Sequence, residues 1–550
     1  IILIPVLIFT VFLGGCSWPW QKKKAVENSP EIIAPAAVGA SSTVQMKKFA
    51  DYQALKTFLD STAGSNNQAA TSTPAQTNYN QSVEAGTSTA DIVKTDGQYI
   101  YALVYNDLFI IKASPAAQAQ TIAQITFNSR PSSIQLDAGR LVVIGLDTQI
   151  KDSAAYQKFR RQSPYTFVTV FDISDPQAPK QVRNLDFEGT YQDSRLISGR
   201  LQLVINNYRG YIADEAVVPR LIDNGTVLSN DCGQNDHCFA PTVYYFDIPY
   251  DSYNFVSLNT LDLYDQAADV SAQTYLLNQQ QAVYMSAKNF YLTYSQSLDE
   301  DNLRLSAMRD LISGQLNGSD QKLVAKIDQA DSEVLNAAEK EQKLLMIFKN
   351  FLQTVSSEQS ASLIAQLNEA VQQKYAAAAA EQEKTFVYRV SLAGAQPVYR
   401  ANGSIPGLLL SQSSFFEDEN GNLRLVVGSN HNFDILAGRQ DPYASLYILS
   451  PDLKILGTAD NLAVGENIQS VLYLGQRAYL TAASPITSLT VVDLSNPQTP
   501  QALGKLTLPS AADYLYPDDD NILIALGQDK QTDVYGNLKA GGLRLSLFDI

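Results

Sequence analysis

Three cysteines, two histidines and a few acidic runs are the residues of this chain best equipped for chemistry. Cys232 and Cys238 stand in the stretch Asp231-Cys-Gly-Gln-Asn-Asp-His-Cys238. In an exported protein, two cysteines this close favour a disulfide within one loop. A metal reading would add His237 and Asp231, but the spacing is not that of a zinc knuckle. A redox-active pair is weaker still, because the Cys-x-x-Cys arrangement is missing. The runs Asp299-Glu300-Asp301, Glu417-Asp418-Glu419 and Asp518-Asp519-Asp520 carry enough oxygen for Ca²⁺. None has the alternating ligand order of a calcium loop, so solvated hairpin turns are expected and calcium is the minor alternative. No metal site and no other cofactor is assigned. His431, in Ser-Asn-His-Asn, is a lone imidazole with an expected structural role. The chain has no Gly-x-Ser-x-Gly, His-Glu-x-x-His or P-loop motif, so no catalytic residue is assigned.

Cys16 is a different case. Residues Ile1 to Leu13 are almost wholly apolar and end in Leu13-Gly14-Gly15-Cys16. A helix of that length spans about 20 Å, short of the roughly 30 Å hydrocarbon core. The pattern resembles a bacterial lipobox, in which cleavage exposes a cysteine that then takes a lipid. Residues 1–16 are therefore read as a signal peptide with lipid attachment at Cys16, which implies a membrane-anchored, extracytoplasmic protein. A plain signal peptide or a cut membrane anchor with a chance cysteine are the alternatives. Residues 17–86 read as a flexible tether rich in Ala, Pro, Ser, Thr, Asn and Gln. Lys22, Lys23 and Lys24 sit where anionic headgroups would lie. One short helix is expected in the tether, from the spacing of Met46, Phe49, Leu55, Phe58 and Leu59.

The elements that position these residues follow from the rest of the text. The chain has 550 residues and a net charge of −16. A nucleic-acid backbone would be repelled, so no nucleic-acid partner is expected. From Ala90 onward, short apolar strands alternate with Gly, Asn and Asp turns. Asp91 to Val104 reads as strand, Asp96-Gly97 turn, strand; a second turn falls at Asn106-Asp107. Similar openings recur at Ser133, Arg195, Gln281, Phe415, Ile468 and Tyr514. The later halves match as well. Val168-Thr-Val-Phe-Asp-Ile-Ser-Asp-Pro176 parallels Leu489-Thr-Val-Val-Asp-Leu-Ser-Asn-Pro497, each a strand ending in an Asx-Pro turn. Seven four-stranded units are the signature of an all-β fold, a β-propeller. Tandem sandwiches are the alternative, and predict more uniform domains of about 100 residues.

Residues 299–384 interrupt the fourth unit with helix formers. Leu323, Ile327, Ala330 and Val334, then Leu345, Phe348, Leu352 and Val355, mark an apolar stripe of helical period. Ser319-Asp320 is a helix start, and a turn near Ser356-Ser357 precedes Leu363, Leu367 and Val371. Two long helices, or three with 303–316, should form a hairpin or small bundle. The propeller is thus divided into 87–298 and 385–550.

Asp91-Ile-Val-Lys-Thr-Asp-Gly-Gln-Tyr-Ile-Tyr101, Phe171-Asp-Ile-Ser-Asp-Pro176, Asp418-Glu-Asn-Gly-Asn-Leu-Arg424, Gly465-Glu-Asn-Ile-Gln-Ser-Val471 and Asp513-Tyr-Leu-Tyr-Pro517 resemble the secreted β-propeller domain proteins of bacteria and archaea. The resemblance implies an eighth blade beyond Ile550, and so reads the sequence as a fragment. It also implies a His where Tyr516 stands. It brings no settled activity with it. Two functions remain open from the sequence. One is a lipid-tethered binding or scaffold module for a protein, peptide or envelope polymer. The other is an extracytoplasmic enzyme, of hydrolase type, with its site in the central funnel.

Overall fold

The computed structural model describes residues 46–62, 88–147, 163–209, 217–232, 237–246, 253–277, 281–312, 314–331, 334–394, 396–410, 414–429, 443–483, 487–508, 514–518, 522–532 and 538–550. Cys16, Lys22 to Lys24 and His431 lie outside them.

The described strands form seven antiparallel meanders, a β-propeller. The first sheet runs Val93–Thr95, Tyr99–Val104, Asp107–Lys112 and Gln120–Thr126. The second runs Pro131–Asp137, Arg140–Asp147, Tyr165–Asp172 and Lys180–Glu188. The third runs Thr190–Ile197, Arg200–Arg209, Tyr253–Asp262 and Ser271–Leu277. The fourth runs Gln281–Met285, Asn289–Gln296, Lys384–Ser391 and Val398–Pro406. In the fifth, Leu408–Leu409 and Phe415–Glu417 share one edge of Leu423–Ser429, followed by Tyr443–Leu449 and Ile455–Leu462. The sixth runs Asn467–Leu474, Arg477–Ala483, Thr487–Asp493 and Gln501–Thr507. The seventh has Tyr514–Pro517, Ile522–Thr532 and Leu538–Asp549. Alternating residues bury one set against each neighbouring sheet. Val168, Val170 and Leu185 of the second sheet pack on Leu201, Leu203 and Leu261 of the third; Phe167 and Phe171, on the opposite face, pack on Leu108 and Ile110 of the first.

The turn chemistry read from the sequence is present. Asp96 Oδ1 accepts the amides of Gln98 and Tyr99, and Gly97 takes φ +89°. The next turn lies one residue earlier than expected, at Tyr105-Asn106, with Tyr105 at φ 53° and Asp107 already in the strand. The repeated Asp-x-Ser phrase has a physical role. Asp172 and Asp493 each accept the amide two residues on, at 2.9 Å, closing the turn between third and fourth strands. Asp262 does the same for Tyr264. Each of these aspartates is also the cross-strand partner of an arginine: Arg140, Arg477 and Arg200.

Residues 46–62, read as tether, are docked on the ring instead. Met46–Lys48 is a strand on the outer edge of the third sheet, paired with Thr242–Phe246. The helix α1, Tyr52–Thr62, buries Leu55 and Leu59 against Val243, Phe255 and Leu276. Phe49 stacks on Tyr245 at 4.3 Å. Apolar burial of this extent outweighs the entropy of a free tether.

Among the described residues the insertion holds four helices rather than two or three: α2 Glu300–Ile312, α3 Gly318–Gln329, α4 Ala337–Leu352 and α5 Ser357–Gln382. Two asparagines cause the extra break. Asn317 caps α3 through the amides of Ser319 and Asp320, and Asn336 forms a capping box with Glu339 on α4. Leu323 and Val334, placed on the buried stripe by sequence, are exposed; Val324 and Leu344 take the core positions beside Phe348, Leu367 and Val371.

Candidate functional site

In a meander, successive turns fall on opposite ends of the sheet. The connection between second and third strands therefore shares one ring face with the links from sheet to sheet. Four breaks between described strands lie at that connection: 148–164 in the second sheet, 210–252 in the third, 297–383 in the fourth and 430–442 in the fifth. Residues 148–162, 210–216, 247–252 and 430–442 lie outside the described residues, and the described part of 210–252 reaches across to the 263–270 turn through His237 and Asp269. The turns on the other face, such as 138–139 and 475–476, are short.

The excursion 210–252 carries the cysteines. Its hairpin Leu221–Asp223 and Thr226–Val227 turns at Asn224-Gly225, both at positive φ, and extends the second sheet outward. Cys232 and Cys238 are joined as a disulfide, with Cα atoms 5.3 Å apart. Beside it lies a chain of charges. Arg183 donates to Asp223 at 2.6 Å and to the Ala268 carbonyl at 2.9 Å. Asp223 Oδ2 also meets His237 Nε2 at 3.1 Å, and His237 Nδ1 meets Asp269 Oδ1 at 2.7 Å. Both ring nitrogens thus face carboxylates. Neither is left to take a proton from a nucleophile or to bind a metal with the cysteines. The Asp231 amide donates to Ser229, turning its own loop. This arrangement pins the excursion between the second and third sheets.

A second polar group lies on the innermost strands, and nothing in the sequence pattern marks it. Ser194 Oγ meets Gln135 Nε2 at 2.5 Å and the Tyr191 hydroxyl at 3.0 Å. Asp193 pairs with Arg195 at 2.6 Å. Burial raises the Asp193 carboxyl, opposed by the Arg195 charge. Ser194 is fully buried, and an amide and a phenol are no bases for its proton. The chain's own backbone covers these strands: Ser88–Thr89 pairs with Thr190–Ile197, and Asp91 bridges to Ile134.

A third group is acidic. Asp186, 5% exposed, is raised to about 7 by burial first and then by the charge of Asp147. Ser129 donates to Asp147 at 3.0 Å. Of the acidic runs, Asp519 and Asp520 lie outside the described residues. Glu417 is buried and accepts from Ser286 and Asn289 of the fourth sheet. Asp418 holds its turn and Arg424. Asp299 caps α2 through Asn302, and Asp301 pairs with Arg304. The Asp518 amide closes a hairpin to Ile522. Among the described residues, no group of three His, Cys, Asp or Glu side chains is placed to hold a metal ion. No described helix is long and apolar enough to cross a membrane.

The family comparison agrees with this architecture. The beta propeller domain family model matches residues 75–550. The chain is 25% identical to an uncharacterized protein of Methanocaldococcus jannaschii, over 91% of this chain and 71% of that protein. It is 23% identical to an uncharacterized protein of Archaeoglobus fulgidus, over 88% and 70%. Among solved structures it is similar to the beta-propeller domain of the trilobed protease from Pyrococcus furiosus, described as having an open velcro topology. That likeness has 7% identity and a TM-score of 0.31, covering 83% of this chain and 97% of that one. By its sequence, the chain belongs to the beta propeller domain family.

Proposed function

We propose that this protein is an extracytoplasmic binding or scaffold module, anchored by a lipid on Cys16. Its partner is a protein, peptide or envelope polymer. The observation that carries the reading is the four-helix arm, inserted between the second and third strands of the fourth sheet and packed on a core of its own. A helical insertion with its own core, set at a connection between strands of a ring of sheets, offers a surface for a partner. The disulfide between Cys232 and Cys238 supports an oxidising compartment. Engagement of both nitrogens of His237, and burial of Ser194 among groups that are not bases, favour binding over hydrolysis.

The location half is tested by fractionation. The native protein should sediment with membranes, and Cys16→Ala should release it to the soluble extracytoplasmic fraction. Membrane retention of Cys16→Ala, or recovery of the native protein from the cytoplasm with free thiols at Cys232 and Cys238, would refute it.

A further inference from the structure

Two neighbouring seams of the ring, on the face opposite the arm, share a backbone frame but differ in the side chain that crosses them. Between the second and third sheets, Tyr264 follows Asp262-Leu263 and lies over Gly199. A Cβ built on Gly199 would come within 3.0 Å of its ring. The Tyr264 hydroxyl crosses the seam to the turn of the preceding sheet. It donates to the Ala138 carbonyl at 2.8 Å, with the Asp137 carboxylate 3.3 Å away as a second, longer acceptor for the same proton. Arg140 covers the ring at 5.2 Å. Burial, and then the Asp137 charge, hold this hydroxyl in its protonated, donating form.

The seam between the first and second sheets has the same frame. Asp172-Ile173 replaces Asp262-Leu263, Gly139 replaces Gly199, and Asp96 replaces Asp137. The register is fixed by hydrogen bonds: Ile173 donates to Gly139 and Leu263 donates to Gly199, at 3.0 and 3.2 Å. Yet the residue in the place of Tyr264 is Ser174, whose Oγ lies 3.6 Å from a Cβ built on Gly139. It is too short to cross. The space left is a cleft of about 320 Å³, lined by Asp96, Tyr101, Leu136, Gly139, Ile173 and Pro176 among others. Leu136, Ile173 and Pro176 give it apolar surface, and the carboxylates of Asp96 and Asp137 line it as well; the Tyr101 hydroxyl touches Asp96 at 3.3 Å.

We propose that this cleft is a socket for a tyrosine side chain presented by a partner polypeptide. The ring covers Ile173 and Pro176, and the phenol donates to the carboxylate of Asp96, the counterpart of the Asp137 carboxylate that lies 3.3 Å from the Tyr264 hydroxyl one seam on. An acidic acceptor favours a hydroxyl-bearing ring over a bare one, because a phenylalanine would desolvate Asp96 without replacing its hydrogen bonds. The socket adds a second contact to the binding role proposed above but does not depend on the arm.

The test uses the full chain and N-acetyl-tyrosinamide, with N-acetyl-phenylalaninamide as comparator, read by saturation-transfer NMR. The tyrosine probe should bind, and the phenylalanine probe about tenfold more weakly, the worth of one charge-assisted hydrogen bond. Ser174→Tyr places the ring in cis. It should abolish probe binding while leaving the melting temperature unchanged or higher. Asp96→Asn keeps the turn's acceptor oxygen and should weaken the tyrosine probe toward the comparator. If Ser174→Tyr fails to fold, the native chain and Asp96→Asn decide. Absence of binding, equal binding of the two probes, or binding untouched by both variants overturns the proposal. None of those results would touch the arm-dependent binding reading.

Discussion

Arg183 lays its guanidinium along the carboxylate of Asp223, Nη2 to Oδ2 at 2.6 Å and Nε to Oδ2 at 3.2 Å, with side chains 2% and 4% exposed. The two residues belong to different parts of the chain's path: one sits on the fourth strand of the second sheet, the other on the hairpin of the long excursion. Their pairing fixes that excursion to the ring. Removing one partner strands a buried charge. Asp223→Ala should therefore cost about 3–5 kcal/mol in urea unfolding. A loss below about 1 kcal/mol would mean that the pair is solvated and does not hold the hairpin.

The disulfide beside it closes a short loop. The chain-entropy model gives about 2 kcal/mol for a ring of this size. The double variant Cys232→Ser, Cys238→Ser should open the 229–238 loop to proteolysis at low protease concentration, with the ring itself intact. Equal resistance of variant and native protein would show that Asp223 and Asp269 hold His237 without help.

Asp186 makes stability fall with rising pH. Its folded value of about 7 lies above the ordinary carboxyl value near 4, so the fold favours the neutral form. The contribution is fully present below about pH 4 and is lost as pH rises through about 7. Asp186→Asn removes the penalty. The variant should match the native protein in unfolding free energy at pH 3 and exceed it at pH 8, by at most about 4 kcal/mol. A native protein equally stable relative to the variant at both pH values contradicts this.

The arm has its own core and a simple exit. Gln296 and Lys384 stand directly opposite each other across the hairpin that the arm interrupts. Replacing 297–383 with Asn-Gly should leave a folded ring with a cooperative melt. Within the intact chain, Phe348→Ala should destabilise the arm by about 3–5 kcal/mol, seen as faster amide exchange in the helices and not in the sheets. Exchange rising equally in the sheets would mean that arm and ring unfold together.

Local signals in the sequence became local structure. The Asp172 and Asp493 phrases are visible because a capping carboxylate needs only the next few residues. The third copy, at Asp262, hides because Tyr264 replaces the serine, and that replacement carries the seam contact. The helical period of the arm is readable, but its phase is not. Leu323 beside Val324, and Leu344 beside Leu345, offer two adjacent apolar choices, and only packing between helices selects one. The docking of α1 is unreadable for another reason. Its apolar face is plain in Leu55 and Leu59, while its receiver, Val243 to Leu276, lies far along the chain. Long-range pairs such as Arg183 with Asp223, or Tyr264 with Asp137, leave no mark in spacing.

The central claim is that the loop face, with its arm, holds a partner outside the cytoplasm. The most direct measurement is affinity capture from intact cell envelopes with the full chain and with the 297–383 replacement, side by side. The account predicts one defined partner retained by the full chain and lost with the arm, while the shortened ring stays folded. The same partner at equal yield on the armless ring would contradict it.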